Sequence, residues 1–239
     1  MASDNRLPKA QLIVLAAGQG SRLKSEIPKQ LLPLMRVVPH STLLDLVLYA
    51  YQKLEAITEI IVVFNPEFEK QIREVSSEYS KVTTFVVGGK TRQESALFGI
   101  RAATSEYILL HDAARPLVLS SAVTGCLEKL AAGYKAVNTV MIPPVSMVQV
   151  RDEEMVGSLP RGQVAHGQCP QAFHRETLLA AQEAAVRKGL ETHDECSAIL
   201  QLTQEKVATV PGHPAGMKVT FPNELNLLRF YFQQEDPNS

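Results

Sequence analysis

Apolar residues along this chain gather in two alternating kinds of segment. Short, nearly unbroken apolar runs at Gln11–Ala16, Ile60–Phe64, Val82–Val87, Tyr107–His111 and Ala136–Ile142 predict strands buried on both faces. Between them, Thr42–Leu54, Pro66–Ser76, Arg92–Ala103 and Ser120–Ala132 carry apolar positions at helical spacing. In the first of these helices Asp45 is placed as a partial capping acid. Beyond Cys169 the same reading gives helices near Arg175–Lys188, Asp194–Leu202 and Pro222–Phe232, with a short strand around Lys206–Val210. Strand–helix alternation predicts an α/β fold: a Rossmann-like, mostly parallel twisted sheet flanked by helices, with ligands at the carboxyl ends of its strands. The stretch Pro143–Arg161 breaks the rhythm with prolines, mixed charge and β-prone pieces such as Val148-Gln149-Val150. A protruding β-arm is expected there; the plainer alternative is a surface loop.

The strand Leu12-Ile13-Val14-Leu15 empties into Ala16-Ala17-Gly18-Gln19-Gly20-Ser21-Arg22-Leu23-Lys24, followed by Pro28-Lys29-Gln30. Small residues let main-chain N–H groups close on an anion, and the cations supply charge that those dipoles lack. A polyphosphate is the first ligand this suggests. Two familiar phosphate loops do not match. A dinucleotide fingerprint needs a third glycine where Leu23 stands, and a Walker loop ending at Gly88-Gly89-Lys90-Thr91 needs a glycine where Thr84 stands. Three loops that follow strands, those at Gly18, Gly88 and Asp112, should nonetheless share one rim of the sheet.

Composition narrows the partners. The 239 residues, 45% of them apolar, suit one α/β domain. A net charge of −1 argues against nucleic acid or a membrane surface as the main partner. No apolar stretch approaches a membrane span, and the first residues lack the apolar core of a secretory signal. Cys126, Cys169 and Cys196 are odd in number and scattered, which points to a reducing, cytoplasmic setting. His166-x-x-Cys169 and His193-x-x-Cys196 have the composition of a tetrahedral zinc set, but Cys196 falls at an apolar position on a helix.

Four blocks in order carry a resemblance: the Gly-x-Gly-x-Arg loop with Pro28-Lys29; Gly88-Gly89 with Arg92 and Ser95; His111-Asp112-Ala113-Ala114-Arg115-Pro116; and Pro170-Gln171-Ala172-Phe173 followed by Lys218-Val219-Thr220. Together they resemble the 2-C-methyl-D-erythritol 4-phosphate cytidylyltransferase family of sugar-phosphate nucleotidyltransferases, from about Gln11 to Tyr231. The resemblance implies a glycosyltransferase-A-like fold, a single domain over residues 1–239, and CTP and a sugar-alcohol phosphate as substrates. It implies that Arg22 and Lys29 stabilise the transition state at the phosphates. Ala16, Ala17, Gly18, Gly89, Arg92 and Ser95 would frame the nucleotide. Asp112 would hold Mg²⁺, with Arg115 bracing its loop and His111 structural. Arg161 and Lys218 would hold the acceptor phosphate, beside Cys169 and His193. The segment 143–161 would clasp a second copy in a homodimer.

The match departs from the family at the acceptor end. Cys169 and His193 each replace a threonine, Pro214-Ala215-Gly216-Met217 lacks the usual acid before the Lys-Val-Thr block, and the arm is shorter. Ribitol 5-phosphate is therefore the alternative acceptor. A nucleotide-binding module without turnover is the alternative from another class.

Overall fold

The computed structural model describes residues 7–18, 27–32 and 42–234. A seven-stranded sheet runs β3-β2-β1-β4-β8-β5-β9. Its strands are β1 (Ala10–Ala16), β2 (Ile57–Phe64), β3 (Val82–Val87), β4 (Tyr107–Asp112), β5 (Ala136–Met141), β8 (His166–His174) and β9 (Val207–Pro211). Only β8 runs against the rest, pairing antiparallel with both β4 and β5. The predicted α/β class and mostly parallel sheet are therefore what the chain forms.

Period-two side-chain alternation on strands covered on both faces explains the unbroken apolar runs. On one face Leu12, Val14, Ile60 and Val62 pack under α1 (Leu43–Gln52), α2 (Glu69–Ser76) and α4 (Ser120–Ala131). On the other, Ile13, Ile61, Val63 and Ile108 pack under α3 (Arg92–Ala102), α5 (Arg175–Lys188) and α6 (Glu195–Leu202). A seventh helix, α7 (Pro222–Gln234), closes the described chain. Thr42 caps α1 by accepting from the Asp45 amide, but the Asp45 carboxylate does not reciprocate. It accepts instead from the Tyr79 hydroxyl. The full capping box belongs to α3, between Thr91 and Glu94.

The chain visits β1, β2 and β3 in one direction and then returns to lay β4 on the opposite side of β1. The loops after β1 and β4 thus diverge to opposite sides, leaving a crevice at their carboxyl ends. Leu15 pairs with Asp112 across it, and the Ala113 amide donates to the Leu15 carbonyl at 3.1 Å.

The long strand β8 departs from the sequence expectation, which placed a motif there but no strand. Its sequence, His-Gly-Gln-Cys-Pro-Gln-Ala-Phe-His, carries a glycine and a proline and little apolar alternation. Proline gives no ladder donor and seldom sits in a central strand. Here pairing with β5 slips between the Asn138 and Val140 partners, and the Pro170 carbonyl takes the Thr139 hydroxyl at 2.6 Å instead.

The segment 143–161 does form an arm. Strands β6 (Met147–Arg151) and β7 (Glu154–Leu159) make a separate antiparallel hairpin. Asp152 and Glu153 turn it with φ of 50° and 66°, the double positive φ of a type I′ hairpin loop.

Packing of α3 on β1 and β2 yields a prediction with an unusual sign. A Cβ on Gly99 would lie 2.6 Å from Ile13 Cγ2 and 2.9 Å from Val63 Cγ2, both on stiff β-branched side chains. Helix propensity favours alanine there by about 1 kcal/mol, but overpacking costs about 1–3 kcal/mol. Gly99→Ala is expected to be net destabilising, read as a lower urea midpoint at unchanged slope; a stabilised variant would contradict this packing.

Candidate active site

The loops predicted to share a rim do so. A cavity of about 510 Å³ opens at the carboxyl ends of β1, β3 and β4, lined among others by Ala17, Gly18, Gly88, Gly89, Asp112 and Lys218. Lys29, Arg92 and Ser95 line it as well. Ala16 lies just beneath, 2% exposed. Arg22 and Lys24 fall outside the described residues.

Each wall has a local cause. After β1 the chain leaves through Ala17 and Gly18. Lys29 sits in a single 3-10 turn, Lys29–Leu31, that Leu31 anchors in the core. After β3, the Gly88 amide donates to the Phe64 carbonyl at 2.8 Å. A Cβ on Gly88 would come within 2.4 Å of the Ala17 Cβ, so the absence of a side chain lets the two loops touch. Ser95, 5% exposed, accepts from the Gly89 amide at 3.0 Å and donates to the Thr91 carbonyl at 2.9 Å. Its hydroxyl holds the glycine loop to the first turn of α3.

Asp112 is the electrostatic centre. Lys218 Nζ donates to its Oδ2 at 2.8 Å, Arg92 Nη2 lies 3.4 Å from Oδ1, and Arg115 Nε lies 3.7 Å from Oδ2. Burial alone would raise the carboxyl pKa, but Arg92, Lys218 and Arg115 outweigh it and hold the group well below the usual carboxylate range. Asp112 is therefore ionised at neutral pH. Lys218 reaches it because the Val219 amide donates to the Ala114 carbonyl at 2.8 Å.

Arg92 is itself held from the other side. Its Nη1 and Nη2 donate to Glu195 Oε1 and Oε2 at 2.9 and 3.0 Å, a bidentate pair in which Glu195 is 1% exposed. Sequence reading overlooked Glu195. The available signal was an acid at the first turn of a helix, which ordinarily reads as a partner for the helix dipole. Its placement depends on β8: Gln171 Nε2 donates to Asp194 Oδ2, and Asp194 caps α6 through the Ser197 amide.

His111 is structural, as expected, and its role can be specified. Its Nε2 lies 2.9 Å from the Arg115 carbonyl, which can only accept, so Nε2 carries the proton and Nδ1 accepts from the buried Tyr51 hydroxyl at 2.9 Å. Burial lowers its pKa to about 4, so the ring is neutral beneath the Asp112–Arg115 turn. Arg115 braces that turn by donating to the Gly216 carbonyl at 2.9 Å.

Of the expected acceptor residues, Lys218 lines the cavity. Cys169 stands beside Asp112, its thiol pushed up to about 11 by burial and then by the Asp112 charge; it is a protonated donor, not a nucleophile. Arg161 and His193 are exposed and do not line the cavity. His166 is exposed too and Cys196 is buried, and among the described residues no group of three or more His, Cys, Asp or Glu could hold a metal. The cavity thus offers a metal one ionised carboxylate, with phosphate oxygens and water left to complete the shell. That donor set fits magnesium and does not fit zinc.

Comparison with known proteins agrees with this geometry. The family model described as IspD, 2-C-methyl-D-erythritol 4-phosphate cytidylyltransferase, matches residues 10–234. The chain belongs to this cytidylyltransferase family. A 2-C-methyl-D-erythritol 4-phosphate cytidylyltransferase of Thermobifida fusca is 32% identical over 234 residues, covering 92% of each chain. The corresponding structure from Thermus thermophilus superposes with a TM-score of 0.75 at 29% identity, covering 94% of this chain and 99% of that one. The bifunctional ribulose 5-phosphate reductase/CDP-ribitol pyrophosphorylase Bcs1 of Haemophilus influenzae is 34% identical over 231 residues. There the match takes in 92% of this chain but 48% of the relative, so this cytidylyltransferase-family chain spans about half of Bcs1.

The neutral His111 gives this cytidylyltransferase-family fold a predicted pH signature. Unfolded histidine titrates near pH 6.5, whereas His111 resists protonation until about 4. As pH falls through that window the unfolded chain binds the proton first, so stability drops, by on the order of 3 kcal/mol in all, and this contribution levels off below it. Asp112, whose pKa is depressed, contributes stability that is lost only below the unfolded carboxylate range, so the two effects fall in separate windows. Urea midpoints measured between about pH 7 and 4.5 should slope less for His111→Gln, whose amide can serve both partners without titrating. An unchanged slope would show that another group carries the effect.

Proposed function

We propose that this enzyme transfers CMP from CTP to 2-C-methyl-D-erythritol 4-phosphate, releasing pyrophosphate. One observation carries the reading: Lys29, Arg92, Asp112 and Lys218, drawn from four separate stretches of chain, meet in one cavity walled by two loops of small residues. An acceptor phosphate oxygen bonds to the α-phosphorus while the bond to the bridging oxygen of the β-phosphate breaks, and pyrophosphate departs with that electron pair. A phosphate monoester is already anionic, so no strong base is needed. The barrier lies in bringing two anions together, which placed cations lower.

In this reading Lys29, with Arg22, answers the charge that develops on the α-phosphate and the leaving group. Lys218 takes the acceptor phosphate. Asp112 would hold Mg²⁺, which would supply positive charge against the triphosphate oxygens. Arg161 follows the arm at the close of β7 and lies outside its own cavity, so its acceptor role depends on the arm engaging a second copy. Val150 and Met155, directly paired across the hairpin, are 63% and 65% exposed. Such a pair on an unsupported hairpin favours burial against another chain, and we propose a homodimer. Cys126, Cys169 and Cys196 are all free thiols, in keeping with a reducing cytoplasmic setting.

The similarity to Bcs1, with Cys169 and His193 in place of threonines, favours ribitol 5-phosphate as a second reading for the acceptor. Pyrophosphate release over a panel of triphosphates and both sugar phosphates tests the choice. Fastest turnover is expected with CTP and methylerythritol phosphate; preference for ribitol phosphate would transfer the assignment, and binding without release would leave a module.

Lys29→Ala should lower kcat about a hundredfold while changing CTP affinity only a few-fold, because its charge is wanted in the transition state. If the whole loss appeared as weaker CTP binding, Lys29 would be a ground-state contact. Val150→Asp, placing charge on the arm, should shift the protein to monomer in sedimentation. A wild-type monomer would refute the dimer.

A further inference from the structure

We propose that Gln30 is a positioning residue for the nucleotide, acting as a clamp on two main-chain carbonyls of the loop after β1. Its side chain is 2% exposed, and its Nε2 donates to the Ala16 carbonyl at 2.6 Å and to the Gly18 carbonyl at 3.0 Å. A primary amide has two N–H donors, and these bonds use both. The acceptors are the carbonyls on either side of Ala17, at the point where the chain leaves the sheet and its ladder partners.

Peptide planarity gives the clamp a consequence beyond packing. In a trans peptide the carbonyl and the following N–H lie on opposite edges of one plane. Holding the Ala16 carbonyl against Gln30 therefore turns the Ala17 N–H away from it. Ala17 and Gly18 both line the cavity, and the clamped carbonyls belong to the planes that enter Ala17 and leave Gly18, so their orientation sets whether a carbonyl oxygen meets a ligand there. Among the described residues no atom lies within 4 Å of a Cβ added at Gly18, and glycine rotates freely. A flipped plane would present a carbonyl oxygen to a polyanion. Gln30 holds both negative dipole ends on its amide, so neither carbonyl is free to turn to the anion, and the Ala17 N–H stays on the opposite edge of its plane.

The clamp and the cation share one support. Gln30 and Lys29 lie in the same 3-10 turn, closed by the Leu31 amide on the Pro28 carbonyl at 2.9 Å and the Leu32 amide on the Lys29 carbonyl at 3.1 Å. Whatever holds Lys29 at the cavity also holds the loop's dipoles.

The inference rests on the nucleotide reading of this cavity, and full-length protein tests the two separately. CTP affinity by calorimetry, acceptor KM and melting temperature are measured for wild type, Gln30→Met and Gln30→Glu. Gln30→Met keeps the volume and removes both donors. It should weaken CTP binding about tenfold or more, with acceptor KM and melting temperature little changed. Gln30→Glu sets a carboxylate against two carbonyls and should bind CTP poorly near pH 8. It should regain affinity toward about pH 5.5, as a buried carboxyl takes up a proton and supplies one donor; wild type should show no such gain. The clamp is overturned if Gln30→Met binds CTP like wild type, or if CTP affinity, acceptor KM and melting temperature all decline together. It is also overturned if Gln30→Glu shows no recovery. Wild-type protein that binds no CTP would sink the nucleotide reading itself, and the clamp with it.

Discussion

A buried carboxylate kept ionised by surrounding cations is the constraint on which this site depends. Asp112 ends the buried, largely apolar strand β4, where an unpaired charge would be expelled or neutralised by a proton. It is retained because Arg92, Arg115 and Lys218 come at it from three directions. Glu195 takes the main share of Arg92 through two short hydrogen bonds, leaving the longer 3.4 Å contact to Asp112. Two carboxylates against three cations leave the cluster with a net charge of +1. A surface of that balance draws in a polyanion without the mutual repulsion that three unopposed cations would suffer in a space of low dielectric constant.

Sheet order makes this convergence possible. Because β4 returns to the far side of β1, the loops after these strands open a crevice between them, and the β3 loop is brought alongside through Gly88 and Ala17. The antiparallel β8 adds what a purely parallel sheet would lack. Running back along β4, it sets Cys169 beside Asp112, and through Gln171 and Asp194 it fixes the start of α6, hence Glu195. The polar contacts of β8 thus link the start of α3, where Arg92 stands, to Asp112, where Lys218 arrives.

The parts legible in the sequence were those written in period or in local motif. Runs such as Leu12–Leu15 and Ile60–Phe64 declared buried strands because both faces are covered, and the loops that follow strands were expected at one rim, where they do meet. Strand β8 was not legible, since its stability comes from two flanking strands and from the Thr139 hydroxyl rather than from its own alternation. Glu195 and Gln30 were hidden for a related reason. Each is an ordinary polar residue whose meaning lies in what tertiary structure sets against it: a guanidinium that begins at position 92, or two carbonyls of the β1 loop. Asp45 shows the reverse case, where a motif suggested a cap and a distant tyrosine claimed the carboxylate.

The two halves of the site are therefore specified by different physics. One wall is made from glycines in close approach and a cation carried on the same turn as Gln30, and in the reading proposed above it takes the nucleotide. Lys218 before α7 and Cys169 on the interrupted strand approach Asp112 as side chains, whereas His193 and Arg161 lie on exposed segments and do not line the cavity. The Cys169 thiol is a weak donor next to Asp112 and leaves the charge cluster undisturbed, because burial keeps it protonated. His193 is exposed and does not line the cavity, so its ring stands apart from the groups that hold Asp112. In the reading proposed above, a different acceptor would then be accommodated without disturbing the groups that hold Asp112. This explains how one chain can resemble both a methylerythritol phosphate cytidylyltransferase and a CDP-ribitol pyrophosphorylase across almost its whole length.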